Sequence, residues 1–281
     1  MDADTHTITI TDGANPQDAA TQSVTLDEDD LPDGSSTNVP ALTQVATLAF
    51  TAGSDTLGSF VFTGIGGLDT DANDGTAGGT IVWVMSPGDR EIKGYVNGDA
   101  MTGQLAITLT LGGATSIDPN LAGNVTVTVT LADNFANIFA DNLQTSFDLG
   151  SVTVQGSDGD DTVTGVVNVT VIDDVPSVEI APAVADDTPA TDTVAENGAN
   201  LSGAITLVEG ADQDATLVIS GTGFADMSFT LNGAADVTLV RTVMNGPDEL
   251  GVLSVTVNAG GAASWIYNPS TGGTGERSLT L

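Results

Sequence analysis

Most of the chain alternates apolar residues with small polar ones, at the two-residue period of a strand buried on one face. The pattern is clearest in THTITIT, SVTLDE, VATLAF, SFVFTG, TIVWVM, QLAITLTL, NVTVTVTL, SFDLGSVTV and VVNVTVI. Gly- and Asp-rich turns separate these segments, and only residues 132–144 have the pattern of a short helical turn. Many short strands joined by such turns predict an all-β fold of β-sandwich domains.

The chain restarts after about 175 residues, which predicts two related domains in tandem. VTLDEDDLPDGS near Glu28 is echoed by DTVAENGANLSG near Glu196, and VATLAFTAGSDTLGSFVFTG by AITLVEGADQDATLVISGTG. Pro176, in IDDVPSV, ends strand pairing at the boundary. We therefore expect one sandwich over residues 1–174 and a second over 175–281.

Negative charge limits what this chain can bind. It has 38 acidic and 4 basic residues, a formal net charge of -34, and no cysteine. Such a chain will not bind nucleic acid, and neither disulfides nor thiolate metal sites can stabilise it. The acids are mostly Asp in turns, where carboxylates can bind Ca²⁺. The alternative is a solvating acidic surface of the kind found in halophilic proteins.

Four features in order carry a resemblance: LDEDDL, the TIVWVM strand, GSDGDDTVTGVVNVTVIDDVP and the restart. Together they resemble the type I secretion target domains of giant RTX adhesins of Gram-negative bacteria. The second copy, with GVLSVTVNAGGAASWIYNPSTG, is similar to cadherin-like and VCBS-like repeats, in which Trp265 and Tyr267 would fill the core. The resemblance implies an extracellular, calcium-rigidified, non-catalytic module that presents a ligand-binding tip for attachment and biofilm formation. No GGxGxD repeat of the secretion signal region occurs.

One candidate calcium site lies at the predicted joint between the domains. Its ligands would come from the end of QSVTL, from the end of VVNVTVI and from the EGADQD loop, namely Asp27, Glu28, Asp29, Asp173, Asp174, Asp212 and Asp214. QSVTL would bring Asp27, Glu28 and Asp29 to this pole if it runs antiparallel to its neighbour. Calcium takes six to eight oxygen ligands and tolerates irregular geometry. The alternative for Asp173 and Asp174 is a solvated turn before a proline.

A second candidate site lies at the opposite pole of the first domain, where Asp158, Asp160 and Asp161 would gather with Asp55. A strand of about ten residues spans roughly 33 Å, so the two poles cannot share one ion. The alternative is a plain β-turn in which Gly159 supplies the positive φ angle.

The loop LDTDANDGTAGG offers a third set of ligands, Asp69, Asp71, Asn73 and Asp74. It is not an EF-hand, because Gly75 stands one place late and Thr80 replaces the bidentate Glu. The loop is either clamped by calcium or a flexible acidic loop. Glu196, the counterpart of Glu28, completes the candidate ligands.

Enzyme motifs are missing from the sequence. His6 is the single histidine, and no nucleophile stands beside a base. Trp83 and Trp265 lie in predicted strands, where core positions are commoner than sugar-stacking platforms. The remaining alternative to a structural spacer is a carbohydrate- or peptide-binding module of the same adhesin. Expected partners are neighbouring adhesin domains, and host or biofilm glycans or peptides through an adjacent domain, with no membrane insertion.

The two ends carry expectations of their own. MDADTHT has neither the basic start nor the apolar core of a signal peptide, so an export signal would lie elsewhere. The ending GGTGERSLTL lacks a counterpart of the first domain's last hairpin. We expect the second domain to lack its final strands, with a core of Trp265, Ile266 and Tyr267 partly open. Leu281 would then be a fragment end or the point where a ligand-binding domain is inserted.

Overall fold

The computed structural model divides the chain into two compact units. Unit 1 comprises Met1–Leu31 and Ser36–Asp173, and unit 2 comprises Pro32–Ser35 and Asp174–Leu281. The described residues are 13–32, 34–35, 42–70, 80–96, 98–135, 146–174, 176–181, 191–195, 200–208, 210–211, 216–231, 235–259, 261–270 and 276–280. Apart from one 3-10 turn, the regular structure in these ranges is β-strand, which confirms the predicted all-β class.

Unit 1 consists of two five-stranded sheets. Its strands are β1 (Gln22–Asp27), β2 (Thr43–Thr51), β3 (Leu57–Phe62), β4 (Val82–Met85), β5 (Glu91–Val96), β6 (Gln104–Gly113), β7 (Ser116–Ile117), β8 (Ala122–Leu131), β9 (Ser146–Ser157) and β10 (Thr162–Ile172). One sheet has the order β2-β8-β6-β5-β4 and the other β1-β10-β9-β3-β7. Their inner faces meet, since the ring centroids of Phe50 on β2 and Phe60 on β3 are 5.2 Å apart.

The alternating pattern decides which residues form the core of unit 1. On β8, Val125, Val127 and Val129 are fully buried, whereas the threonines between them point to the other face and remain half-buried. Burying one such side chain stabilises the fold by about 1.5–3 kcal/mol. A one-residue slip in register would exchange the valines for threonines, so the pattern also fixes strand pairing.

In its described residues, unit 2 has one five-stranded sheet and two strand pairs. Its strands are β11 (Ser177–Ile180), β12 (Thr191–Ala195), β13 (Leu201–Val208), β14 (Thr216–Ile219), β15 (Met227–Thr230), β16 (Val237–Asn245), β17 (Asp248–Val257), β18 (Ala263–Pro269) and β19 (Glu276–Thr280). The sheet has the order β11-β13-β18-β17-β16, and the pairs are β12-β19 and β14-β15. The order β13-β18-β17-β16 repeats the order β2-β8-β6-β5 of unit 1.

Both tryptophans are core residues, as expected: Trp83 is 7% exposed and Trp265 is 2% exposed. Tyr267 is also buried, but the prediction that Ile266 belongs to the core is wrong, because its side chain is 44% exposed. Adjacent strand residues point to opposite faces, so Trp265 and Tyr267 on the inner face place Ile266 on the outer one.

Strand β1 is parallel to β10, which corrects the expected antiparallel pairing. Asp27 is the register partner of Ile172, and Gln22 is the partner of Val167. The antiparallel neighbour of β10 is β9, to which the turn at 158–161 connects it. Because parallel strands end at the same edge of a sheet, Glu28 and Asp173 leave their strands side by side.

Candidate functional site

Buried carboxylates distinguish one end of the β1-β10 pair and the start of unit 2. In the part of the chain that the structure describes, the buried polar side chains are Glu28, Asp173 and Asp174, with exposures of 0, 5 and 3%. All three belong to the site predicted at the joint. Carboxylates are rarely buried without compensation, so their burial marks these positions as special.

A short turn directs Glu28 into unit 1. Strand β1 ends at Asp27, whose Oδ1 accepts the Asp29 backbone N–H at 3.3 Å and caps the 3-10 turn Glu28–Asp30. The turn closes when the Leu31 N–H donates to the Glu28 carbonyl at 3.0 Å. As a result Asp27 and Asp29 remain half-buried while Glu28 is wholly buried.

Glu28 is held at its carboxylate by a distant part of the chain. Its Oε1 accepts a hydrogen bond of 2.6 Å from the backbone N–H of Phe135, and its Oε2 is buried as well. The Phe135 ring packs edge-on against Phe147 on β9, with centroids 5.3 Å apart. This ring packing fixes the position of the Phe135 backbone N–H, which donates to the Glu28 carboxylate.

Negative charge is unfavourable in the turn that contains Glu28. Burial is the main cause that raises the pKa of Asp27 to about 6. The hydrogen bond from the Asp29 backbone lowers this pKa, whereas the charges of Asp29 and Asp30 raise it. Burial also raises the pKa of Asp30, with a hydrogen bond to Asp29 and the Asp29 charge adding to the effect. A cation at this turn would relieve both the burial and the repulsion.

The basic side chains described in the structure are used elsewhere. Arg90 donates to the carbonyls of Phe60 and Leu111 at 2.9 and 3.3 Å. Lys93 forms a surface ion pair of 2.9 Å with Glu91. Arg241, in unit 2, donates to backbone carbonyls in its own strand and in residues 225–226.

Asp174 has a structural role within unit 2 that the sequence did not predict. Its Oδ2 accepts the backbone N–H groups of Ser35 at 2.7 Å and Ala211 at 2.9 Å, and its Oδ1 accepts the Ser35 hydroxyl. Gly210 lies close by with φ +77°, where an added Cβ would be 3.0 Å from the Asp174 carbonyl oxygen. The carboxylate therefore fastens residues 34–35 and 210–211 to the start of unit 2.

At the far pole, Asp158, Asp160 and Asp161 form the turn between β9 and β10. Asp158 Oδ1 accepts the Asp161 N–H at 2.9 Å, and Gly159 has φ +119°. Asp160 is exposed, as is Asp55 in the turn between β2 and β3. The geometry is that of the plain β-turn given above as the alternative reading of this segment.

Only part of the predicted ligand set lies within the described residues. Asp69 is exposed, and its carbonyl accepts the Trp83 indole N–H. Six other candidate ligands lie outside the described residues: Asp71, Asn73, Asp74, Glu196, Asp212 and Asp214. The possible helical turn at 132–144 falls largely outside them too. Sequence reasoning overlooked Asp30 and Ser35; Asp30 stands in the LDEDDL run, whereas nothing marks Ser35 in the sequence.

Across the described ranges, no three Asp, Glu or His side chains lie close enough together to hold a metal ion. No helix in those ranges has the length and hydropathy needed to cross a bilayer. No protein-family model matches the chain. No curated protein matches it either.

Proposed function

We propose that this chain is a calcium-rigidified extracellular module of a large RTX-type bacterial adhesin. In this proposal two tandem immunoglobulin-like or cadherin-like sandwiches act as an extender or scaffold that presents a ligand-binding domain. The module is exported by type I secretion, lies at the cell surface, has neighbouring adhesin domains as partners, and performs no catalysis. Its contribution to attachment and biofilm formation is mechanical.

The burial of Glu28 and Asp173 at one edge of unit 1 carries the proposal. Removing a carboxylate from water costs several kcal/mol unless opposite charge or hydrogen bonds compensate it. Arg90 and Lys93, the basic residues of unit 1, are engaged with carbonyls and with Glu91. A hard cation from solution would add positive charge at this edge, and Ca²⁺ binds carboxylate and carbonyl oxygens together.

The raised pKa values of Asp27 and Asp30 also support a bound cation. Asp27 and Asp30 both bind their protons more tightly than an exposed Asp does, because burial and neighbouring carboxylates oppose their charge. A bound cation removes that opposition and favours the ionised forms. The carboxylates of residues 27–30 and 173 do not lie close enough together to form a set of three metal ligands. Calcium bound here would therefore draw them together, complete its coordination with carbonyl oxygens and water, and hold the end of β1 against the end of β10.

Repeated strand order supports the extender reading. The sheet order β13-β18-β17-β16 in unit 2 matches the sheet order β2-β8-β6-β5 in unit 1. Repetition of one supersecondary plan along a chain is typical of proteins whose function is to build length.

Thermal unfolding with calcium, with magnesium and with a chelator tests the proposal. An ion that binds only the folded state stabilises it by RT ln(1 + [L]/Kd), about 2.7 kcal/mol at a hundredfold excess over Kd. We expect a higher melting temperature in calcium than in magnesium at equal ionic strength. Identical melts in calcium and chelator would leave the acidic residues as a solvating surface and remove the calcium proposal.

A further inference from the structure

Sulfur chemistry in this chain is confined to methionine. The sequence contains five methionines and no cysteine, so no thiol of the chain competes with them for an oxidant. Four of the five lie in the described residues. Met227 on β15 is fully buried, and Met85 on β4 and Met244 on β16 are half-buried. Met101, in the turn between β5 and β6, is 92% exposed.

Met101 stands apart from the other apolar side chains in the described part of the chain. The next most exposed large apolar side chain there, Leu121, is 57% exposed. Burying a methionine side chain is favourable, and Met101 gains almost none of that stabilisation. A chemical change at its sulfur therefore removes little packing from unit 1.

Hydrogen bonds to Asp99 hold Met101 at the tip of the turn. The Asp99 Oδ1 accepts the backbone N–H groups of Met101 and Thr102 and the Thr102 hydroxyl, each at 3.0 Å. The Asp99 carbonyl accepts the Gly103 N–H at 2.6 Å. The bond from the Met101 N–H is the largest of the causes that lower the pKa of Asp99, so the carboxylate stays ionised and keeps these bonds as pH falls.

Two glycines close the base of the same turn. An added Cβ at Gly98 would lie 2.7 Å from the Gly103 backbone nitrogen, and one at Gly103 would lie 2.7 Å from the Asp99 carbonyl oxygen. The backbone is therefore too closely packed here to admit a side chain, and residues 99–102 beyond it are all exposed. The fold presents the thioether of Met101 to solvent and to an enzyme that has to reach it.

We propose that Met101 is a reversible oxidation site. A peroxide transfers one oxygen atom to its sulfur: a sulfur lone pair forms the S–O bond, the O–O bond breaks, and the peroxide leaves as water or an alcohol. The sulfur is oxidised by two electrons and the peroxide is reduced by two. A dithiol-dependent methionine sulfoxide reductase reverses the step, with the sulfoxide oxygen leaving as water and the dithiol becoming a disulfide.

The position of each methionine decides what oxidation does to the fold. A sulfoxide turns an apolar side chain into a polar one, which disrupts a methionine packed in a core. Met227 lies in the core of unit 2 with Phe229 and Leu253, so its sulfoxide would destabilise that unit. At Met101 the polar group enters water and unit 1 keeps its packing. The chain therefore takes up one oxidising equivalent at Met101 without unfolding.

Peptide-resolved mass spectrometry after graded treatment with hydrogen peroxide tests the proposal. We expect Met101 to oxidise at least about threefold faster than Met85 and Met244, which solvent reaches only in part. Met227 should oxidise about a hundredfold more slowly than Met101, because it reacts only when unit 2 opens. Met101→Leu should lack the fast reaction, whereas the matched control Met85→Leu should keep it.

Stability and reversibility are measured on the same samples. At the peroxide dose that oxidises Met101 alone, the melting temperature by scanning calorimetry should stay unchanged, and sulfoxide reductases with dithiothreitol should restore the parent mass. Oxidation of Met85, Met227 or Met244 as fast as that of Met101 would overturn the proposal. So would a lower melting temperature with sulfoxide at Met101, or failure of the reductases to remove it.

Discussion

The backbone N–H of Phe135 lies 2.6 Å from Oε1 of Glu28, its hydrogen-bond acceptor 107 residues earlier in the chain. The bond holds the residue that follows β1 against the segment that follows β8, and it places a carboxylate where water does not reach. Removing a carboxylate from water is unfavourable unless hydrogen bonds or opposite charge compensate it, so this hydrogen bond contributes to the stability of unit 1.

Replacing Glu28 with Gln separates the charge from the hydrogen bond, since the amide oxygen still accepts the Phe135 N–H. We expect the variant to fold and to lose most of the stabilisation by calcium, about 2.7 kcal/mol at a hundredfold excess over Kd. Differential scanning calorimetry with calcium and with chelator measures the difference. Asp160→Asn is the matched control, because it removes the same charge at an exposed turn; an equal loss in both variants would contradict a site at Glu28.

Stability in chelator should depend on pH through Asp27. Its pKa of about 6 in the folded state exceeds the ordinary 3.8, so the folded protein binds the proton more tightly than the unfolded chain. The stabilisation from this proton is complete below about pH 4 and is lost as pH rises to about 6. Urea unfolding at pH 4 and at pH 6.5 should show a smaller fall for Asp27→Asn than for the parent. Parallel falls would mean that Asp27 titrates normally.

Asp174→Ala should destabilise unit 2 by about 2–3 kcal/mol, because it leaves the buried N–H of Ala211 and the partly buried N–H of Ser35 without their acceptor. Ser35→Ala removes only the hydroxyl contact and should cost about 1 kcal/mol. Each unit contains one of the two tryptophans, so Trp265 fluorescence in a Trp83→Phe background follows unit 2 during urea unfolding. If the two variants lost equal stability, the backbone donors would not be important.

A glycine faces a tryptophan across neighbouring strands in both units. An added Cβ would lie 2.7 Å from Cζ3 of Trp83 at Gly94, and 2.6 Å from Nε1 of Trp265 at Gly203. We expect Gly94→Ala to destabilise unit 1 and Gly203→Ala to destabilise unit 2, each by about 1–3 kcal/mol. Gly66→Ala, with nothing within 4 Å of its Cβ, is the control. At Gly203 the added Cβ would also lie 2.6 Å from the backbone carbonyl oxygen of Ala181. Urea unfolding monitored by each tryptophan checks this prediction, and a neutral Gly203→Ala would show that both the indole and this carbonyl can move aside.

The sequence by itself determined the local features of this protein. Alternation in NVTVTVTL selects strands and selects the valines as the buried set, because side chains on a strand point to opposite faces in turn. The same rule, applied consistently, would have placed Ile266 outside and Trp265 inside. Gly and Asp in GSDGDD were sufficient to predict the turn between β9 and β10, since a positive φ at Gly159 is a local property.

Only the tertiary structure decided which distant segments meet. The sequence predicted that Glu28 and Asp173 lie at the same pole, but not the parallel pairing of β1 with β10 that places them there. No pattern in either segment encodes that pairing, because strand order depends on how a whole sheet closes its core. The fastening of Ser35 by Asp174 and the bond from Phe135 to Glu28 are likewise invisible in the sequence. Each joins residues more than 100 positions apart, and the burial that makes a carboxylate costly exists only once the surrounding strands have packed.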